Sequence, residues 1–153
     1  MPIKKIKDFL DSHGVRYVSL KHSPAYTAQE VAANAHICGH NLAKTVIVKI
    51  DGSIAMVVLP ASKHINFDLL CEMTGTDDVR LASEIEIENL FPGCESGAIP
   101  AFGNLYEMEV YIAPSLTGER WITFSAGTHS ELIRMSWSDF ENLVRPSVVS
   151  LAC

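Results

Sequence analysis

Four groups of residues in this chain have types and spacings that could do chemistry. The first is Lys44. It follows the polar turn Gly39-His40-Asn41 and heads the apolar run Thr45-Val46-Ile47-Val48. A lysine at the mouth of such a run could hold a phosphate or a carbonyl oxygen, with its pKa lowered by desolvation. The plainer reading is a solvated lysine at a strand end, its stem lying along apolar surface. The second group is Cys94-Glu95-Ser96-Gly97-Ala98-Ile99-Pro100-Ala101-Phe102-Gly103. Glycine lets backbone N–H groups approach a ligand, and proline stiffens the turn between them. Such a loop could present amides to a developing oxyanion. It could equally be a structural connection from a helix to a strand.

The third group is Gly127-Thr128-His129-Ser130, between two strand-like runs. His129 there could be a general acid–base, a hydrogen bonder or a steric gate, or could have no catalytic part. The fourth is His36-Ile37-Cys38-Gly39-His40, whose alternating ligand types suggest zinc. No second ligand pair at suitable spacing follows it, which favours an incidental arrangement. Cys94 has no identifiable paired base, and Ser96 does not sit in a GxSxG elbow. Neither a P-loop nor a dinucleotide fingerprint occurs.

The elements that must position these residues are short and mixed. Pro2 to His13 reads as a helix with Ile3, Ile6, Phe9 and Leu10 on one face, closed by Gly14. Val15 to Leu20 reads as a strand. Thr27-Ala28-Gln29-Glu30 is a capping-box pattern that opens a helix to about Asn34. Lys44–Ile50 and Ser53–Leu59 flank Asp51-Gly52, a hairpin signal. Asn66 can cap a helix that Gly75 closes. Asp78–Leu81 is a short strand. Ser83-Glu84-Ile85-Glu86 is a second capping box, with its helix ending near Leu90. Met108–Ile112, Trp121–Ser125 and Glu131–Met135 read as strands, and Ser136 opens a last helix through Leu143. About seven strands and five short helices predict one compact α/β or α+β domain over residues 1–153, with a mixed, curved sheet.

Composition narrows the function classes. The chain has 153 residues, 48% of them apolar and 20% charged, with a net charge of −6. This suits one domain with a hydrophobic core and excludes disorder, collagen and coiled coil. Apolar runs such as Ile54 to Pro60 are far shorter than a membrane span. The first eight residues lack the apolar stretch of a signal peptide. The scattered Cys38, Cys71, Cys94 and Cys153 are then expected to be reduced thiols of a cytoplasmic protein. The acidic total argues against non-specific wrapping of duplex nucleic acid. It hides an asymmetry: residues 1–63 hold eight Lys and Arg against four Asp and Glu, and residues 64–153 hold four against fourteen. A local basic surface could survive in the first part, unless the charges intermix in the fold.

In order along the chain, these features resemble the YbaK/EbsC and prolyl-tRNA synthetase-associated editing domains. The resemblance runs from Ser23-Pro24-Ala25-Tyr26-Thr27-Ala28-Gln29-Glu30-Val31-Ala32 to the last helix. It takes in Leu42-Ala43-Lys44-Thr45-Val46, Val58-Leu59-Pro60-Ala61, Gly97-Ala98-Ile99-Pro100-Ala101-Phe102-Gly103 and Ala126-Gly127-Thr128-His129. It implies a mostly antiparallel, barrel-like central sheet surrounded by short helices. It also implies a free-standing deacylase that hydrolyses the ester of mischarged tRNA without metal or cofactor. Its partners would be the 3′ acceptor end of the tRNA and an aminoacyl-tRNA synthetase, with no membrane. Lys44 carries over as the essential lysine, and Gly97 and Pro100 as the loop that orients ester and water. Tyr26, Thr27, Thr45, Ile99, Phe102, Gly103, Gly127, Thr128 and His129 would line the pocket, His129 bounding the side-chain end. One departure is Ala101, where many relatives have a second proline. Two other readings stand beside the deacylase: a non-catalytic module that binds tRNA, a synthetase or a nucleotide, and a metal-dependent hydrolase at His36, Cys38 and His40.

Overall fold

A computed structural model describes residues 2–21, 42–95, 97–128 and 130–152. The capping-box helix expected from Thr27, the His36–His40 group, Tyr26, Ser96 and His129 lie outside the described residues, as does the side chain of Ile3.

Helix α1 (Pro2–Ser12) leads into strand β1 (Tyr17–Lys21). Strands β2 (Leu42–Ile50) and β3 (Ser53–Pro60) form the central hairpin. Its turn holds Asp51 at φ 48° and Gly52 at φ 87°, the left-handed pair that a two-residue hairpin needs. Then follow α2 (Phe67–Thr74), β4 (Val79–Leu81) and α3 (Glu84–Leu90). A 3-10 turn spans Gly103–Tyr106 before β5 (Glu109–Ile112). The chain continues through α4 (Pro114–Thr117), β6 (Trp121–Ser125), β7 (Glu131–Ser136), α5 (Trp137–Val144) and β8 (Ser147–Val148).

The helix starts follow from local chemistry. The Asn66 side chain accepts from the Leu69 N–H at 3.1 Å, and Ser136 Oγ accepts from the Asp139 N–H at 3.1 Å. Ser83 and Glu86 complete a reciprocal capping box.

The eight strands form one sheet in the order β1-β7-β6-β2-β3-β5-β8, with β4 branching from β2. Pairs β1/β7, β6/β7, β2/β3 and β2/β4 are antiparallel. Pairs β2/β6, β3/β5 and β5/β8 are parallel. Both faces of the sheet are covered. On one, Ile6 and Leu10 of α1 and Phe140 and Val144 of α5 pack with Ala43, Ile47, Met56, Ile122 and Phe124. On the other, Leu70 of α2 and Leu151 pack with Val48, Ile50, Val57 and Leu59. The first face is centred on rings: Phe102 meets Phe9, Phe124 and Phe140 edge-on at centroid distances of 5.9, 5.2 and 5.7 Å.

Charges from the two halves of the sequence intermix. Lys7 pairs with Glu131 at 3.0 Å and Lys49 with Glu86 at 2.5 Å. Among the described residues no helix is long and apolar enough to cross a membrane.

Candidate functional site

The site is best built outward from strand β2. Alternation along a strand puts Ala43, Thr45 and Ile47 on the ring-lined face, and Lys44, Val46 and Val48 on the opposite one. Leu42 and Ala43 pair with Thr123 and Phe124 of β6, and Val48 to Ile50 pair with β4. Between these two neighbours, on the edge of β2 away from β3, Lys44 to Ile47 have no strand alongside among the described residues. The Ile47 carbonyl accepts from the Ala82 N–H at 3.0 Å, which closes the far end of the opening.

Hydrogen-bond parity shows what points into it. The two-residue turn makes Ile50 and Ser53 a mutually bonded pair, and the Ala61 N–H donates to the Leu42 carbonyl at 2.8 Å. Even-numbered residues of β2 therefore bond β3. The N–H and C=O of Thr45 are directed the other way, into the opening. The Thr45 hydroxyl is buried and has no partner among the described residues. A buried hydroxyl without a partner carries a desolvation penalty of about 1–3 kcal/mol, which a ligand or water would relieve.

Lys44 flanks this opening. Its partner across β3 is Leu59, and it stands one register step beyond the Ala43–Phe124 rung. It makes no hydrogen bond or ion pair with any described residue. Burial pushes its ammonium pKa below the ordinary lysine value. A half-buried cation with no counter-ion among the described residues has charge available for an anion.

The glycine-rich loop reaches the same end of β6. The Gly127 N–H donates to the Ala98 carbonyl at 2.9 Å, and the Glu95 N–H donates to the Gly127 carbonyl at 2.9 Å. The Ala98 N–H closes a turn onto the Glu95 carbonyl at 3.0 Å. Gly97 and Gly127 take φ values of 82° and 102°, which non-glycine residues seldom adopt. The loop expected from residues 94–103 and the glycine element after β6 are thus one hydrogen-bonded unit.

The other expected site residues divide by burial. Gly97 is exposed, Thr128 is half-buried, and Pro100 and Gly127 are buried. Ile99 and Phe102 are 4% and 0% exposed and belong to the ring-lined core. They hold the loop from beneath. Gly103 is also a packing position, because a Cβ there would lie 2.6 Å from Val110 Cγ2. Tyr26, Thr27 and His129 lie outside the described residues.

Two parts of this site gave no local signal in the sequence. The main-chain groups of Glu95, Ala98 and Gly127 meet only after the sheet has formed. The opening beside Thr45 exists because β6 and β4 occupy different lengths of β2. Other candidates recede. Burial pushes the Cys94 thiol up to about 11, so it is protonated at neutral pH. Among the described residues no three His, Cys, Asp or Glu side chains converge to hold a metal.

Comparison with known proteins bears on this arrangement. A family described as the aminoacyl-tRNA editing domain matches residues 22–143. The chain is 37% identical over 87 residues to a proline–tRNA ligase of Staphylococcus saprophyticus, covering 56% of this chain. It spans 15% of the length of that curated relative. Among solved structures, a hypothetical protein superposes with a TM-score of 0.86 at 22% identity, covering 97% of this chain and 99% of the other. A candidate trans-editing enzyme for prolyl tRNA synthetase superposes with a TM-score of 0.82 at 19% identity, covering 98% and 96%. At these identities the superpositions show a shared fold.

Proposed function

The chain belongs to the aminoacyl-tRNA editing domain family, and from that premise we propose that it is a deacylase acting in trans on mischarged tRNA. Water adds to the ester carbonyl carbon of the aminoacyl group. The acyl C–O bond breaks, and the amino acid and the ribose hydroxyl of the tRNA leave separately. The observation that carries this reading is the opening beside Thr45, flanked by the Lys44 ammonium, which has no ion-pair partner among the described residues, and adjoining the loop tied to Gly127.

Each part has work suited to its chemistry. Lys44 supplies positive charge to a phosphate of the terminal nucleotide or to the carbonyl oxygen as it gains negative charge. The Thr45 hydroxyl and main-chain groups orient the ester. The loop anchored by Ile99, Pro100 and Phe102 holds its backbone against Gly127, so that its amides need no rearrangement during reaction. An aminoacyl ester is already activated, so orientation and a few preorganised dipoles suffice without a protein nucleophile or a metal. Discrimination between small side chains is limited to about 1–3 kcal/mol per methylene, which is why a second, hydrolytic selection step is useful. The family resemblance assigns His129 the role of size gate and gives Tyr26, Thr27 and Thr128 a part in substrate binding.

The test is a panel of charged tRNAs, starting with tRNAPro carrying alanine or cysteine. Wild type should release amino acid from at least one. Lys44→Ala should remove most of that activity, and His129→Ala should broaden the accepted amino acids. Turnover at background across the panel would sink the proposal and leave a binding module in its place.

A further inference from the structure

The face of the sheet that carries Lys44 continues onto strands β6, β7 and β1. Leu42 and Thr123 are register partners in a parallel pair, so Lys44, Thr123 and Trp121 lie on one face. Arg134 pairs with Thr123 from one side and Val18 from the other, which puts both on that face too. Trp121 is 45% exposed, although an indole of this size is usually covered. Two guanidinium groups, of Arg120 and Arg134, each stand 5.4 Å from its ring centroid. Both arginines are exposed, and neither forms an ion pair with a described residue. Glu119, next to Arg120 in sequence, does not neutralise it by pairing.

We infer that Trp121, Arg120 and Arg134 form a docking surface for the 3′ strand of the tRNA, stacking an unpaired base and holding its flanking phosphates. This rests on the reading of Lys44 as the ester end of the site. Trp121 stands two residues before Thr123 on β6, and Lys44 stands two residues beyond its partner Leu42 on β2, so four residue steps separate them along the strand direction. At about 3.3 Å per residue and about 4.8 Å between strands, Trp121 lies roughly 14 Å from Lys44. A stacked nucleic-acid strand rises about 3.4 Å per nucleotide, so that span corresponds to about four nucleotides. The surface therefore meets the strand where the unpaired 3′ end joins the acceptor stem. Charge complementarity selects this occupant. The patch holds two cations without an ion-pair partner among the described residues, within residues 64–153, which carry only four Lys and Arg against fourteen Asp and Glu. An aromatic ring beside guanidinium groups is the combination that stacks bases without reading their sequence.

The test measures binding of uncharged tRNA by wild type, Trp121→Ala and the double variant Arg120→Ala/Arg134→Ala, across a salt series. Each variant should raise Kd about tenfold, and the double variant should lower the salt slope by about two phosphate contacts. Hydrolysis of an aminoacyl ester of adenosine alone should stay within twofold of wild type, since that substrate does not reach the patch. Unchanged Kd for uncharged tRNA in both variants would overturn the inference. So would a loss of synthetase binding with tRNA binding intact, which would make the face a protein interface. Equal loss on the short ester would show a structural effect and also overturn it. If wild type hydrolyses no charged tRNA, the parent proposal fails, while the binding series still scores this one.

Discussion

The Gly127 N–H donates to the Ala98 carbonyl at 2.9 Å, and this bond joins two chain segments of the candidate site. One leads out of α3 and the other out of β6. Because Gly127 also accepts from the Glu95 N–H at 2.9 Å, the two segments are clamped through both main-chain groups of one residue. A displacement of either would move the loop relative to the opening beside Thr45.

The clamp predicts a cost at its glycines. Gly97 and Gly127 sit at φ 82° and 102°, where an L side chain is strained whatever space surrounds it. Gly127→Ala should lose about 1–3 kcal/mol of stability, read from urea unfolding. It should also lower kcat more than KM, because the substituted backbone must move the clamp. A variant with wild-type kcat and lowered stability would show that the clamp serves the fold alone.

Lys44 predicts opposite changes in activity and stability. Removing a charged group that acts in the transition state costs about 10²–10³ in rate, so Lys44→Met should fall by that range in kcat/KM. Burial lowers the lysine's folded pKa, so its charged form is penalised in the native state. That penalty is full at pH values below the folded pKa and fades as pH rises toward the unfolded value. Lys44→Met should therefore be more stable than wild type at pH 7, with a margin that narrows through the alkaline range. Thermal melts across pH 7 to 10 check the sign. A methionine variant less stable than wild type at pH 7 would place Lys44 in a favourable interaction instead.

Much of the fold was legible because its signals are local. Asn66, Ser83 and Ser136 each start the helix that their side chains and following residues announce. Asp51-Gly52 announces the hairpin turn in the same way. The parallel contact of Leu42 with Thr123 has no local signal, since these residues meet only in the assembled sheet. The helix Pro114–Thr117 and the strand Ser147–Val148 are too short to show a period. In the candidate site, Lys44 and the loop at Gly97 could be singled out from residue type. The burial of Phe102 was not, because its neighbours Phe9, Phe124 and Phe140 come from α1, β6 and α5. The alternation of Trp121 and Thr123 against Ile122 and Phe124 was readable, but Thr123 is 4% exposed and Trp121 45%, so the pattern alone did not mark the Trp121 surface. Arg134 reaches it only through the register of β7.

Cys94 predicts a negative result. Its thiol is pushed up to about 11 by burial, so on the order of one molecule in a thousand is thiolate at pH 8. Iodoacetamide at that pH should label it slowly in the folded protein and fast in urea. Cys94→Ser should keep deacylation within about threefold of wild type, a margin that leaves room for the lost packing of a half-buried sulfur. A loss of 10² or more, with labelling that tracks inactivation, would mean that Cys94 takes part in the chemistry.

Gly103 predicts a paired rescue. A Cβ at this position would lie 2.6 Å from Val110 Cγ2, 3.1 Å from Met108 Cγ and 3.3 Å from the Met108 carbonyl oxygen. The first two contacts are with side chains, and the third is with backbone that cannot give easily. Gly103→Ala should therefore cost about 1–3 kcal/mol through overpacking. Val110 is itself 6% exposed, so Val110→Ala alone also destabilises by opening a cavity. The two losses share one space, so the double variant Gly103→Ala/Val110→Ala should lose less than their sum, with a coupling of about 0.5–3 kcal/mol. Urea unfolding of the four proteins gives the cycle directly. Strict additivity would mean that the Met108 backbone contact dominates, and that the 3-10 turn at Gly103–Tyr106 shifts as a unit to relieve it.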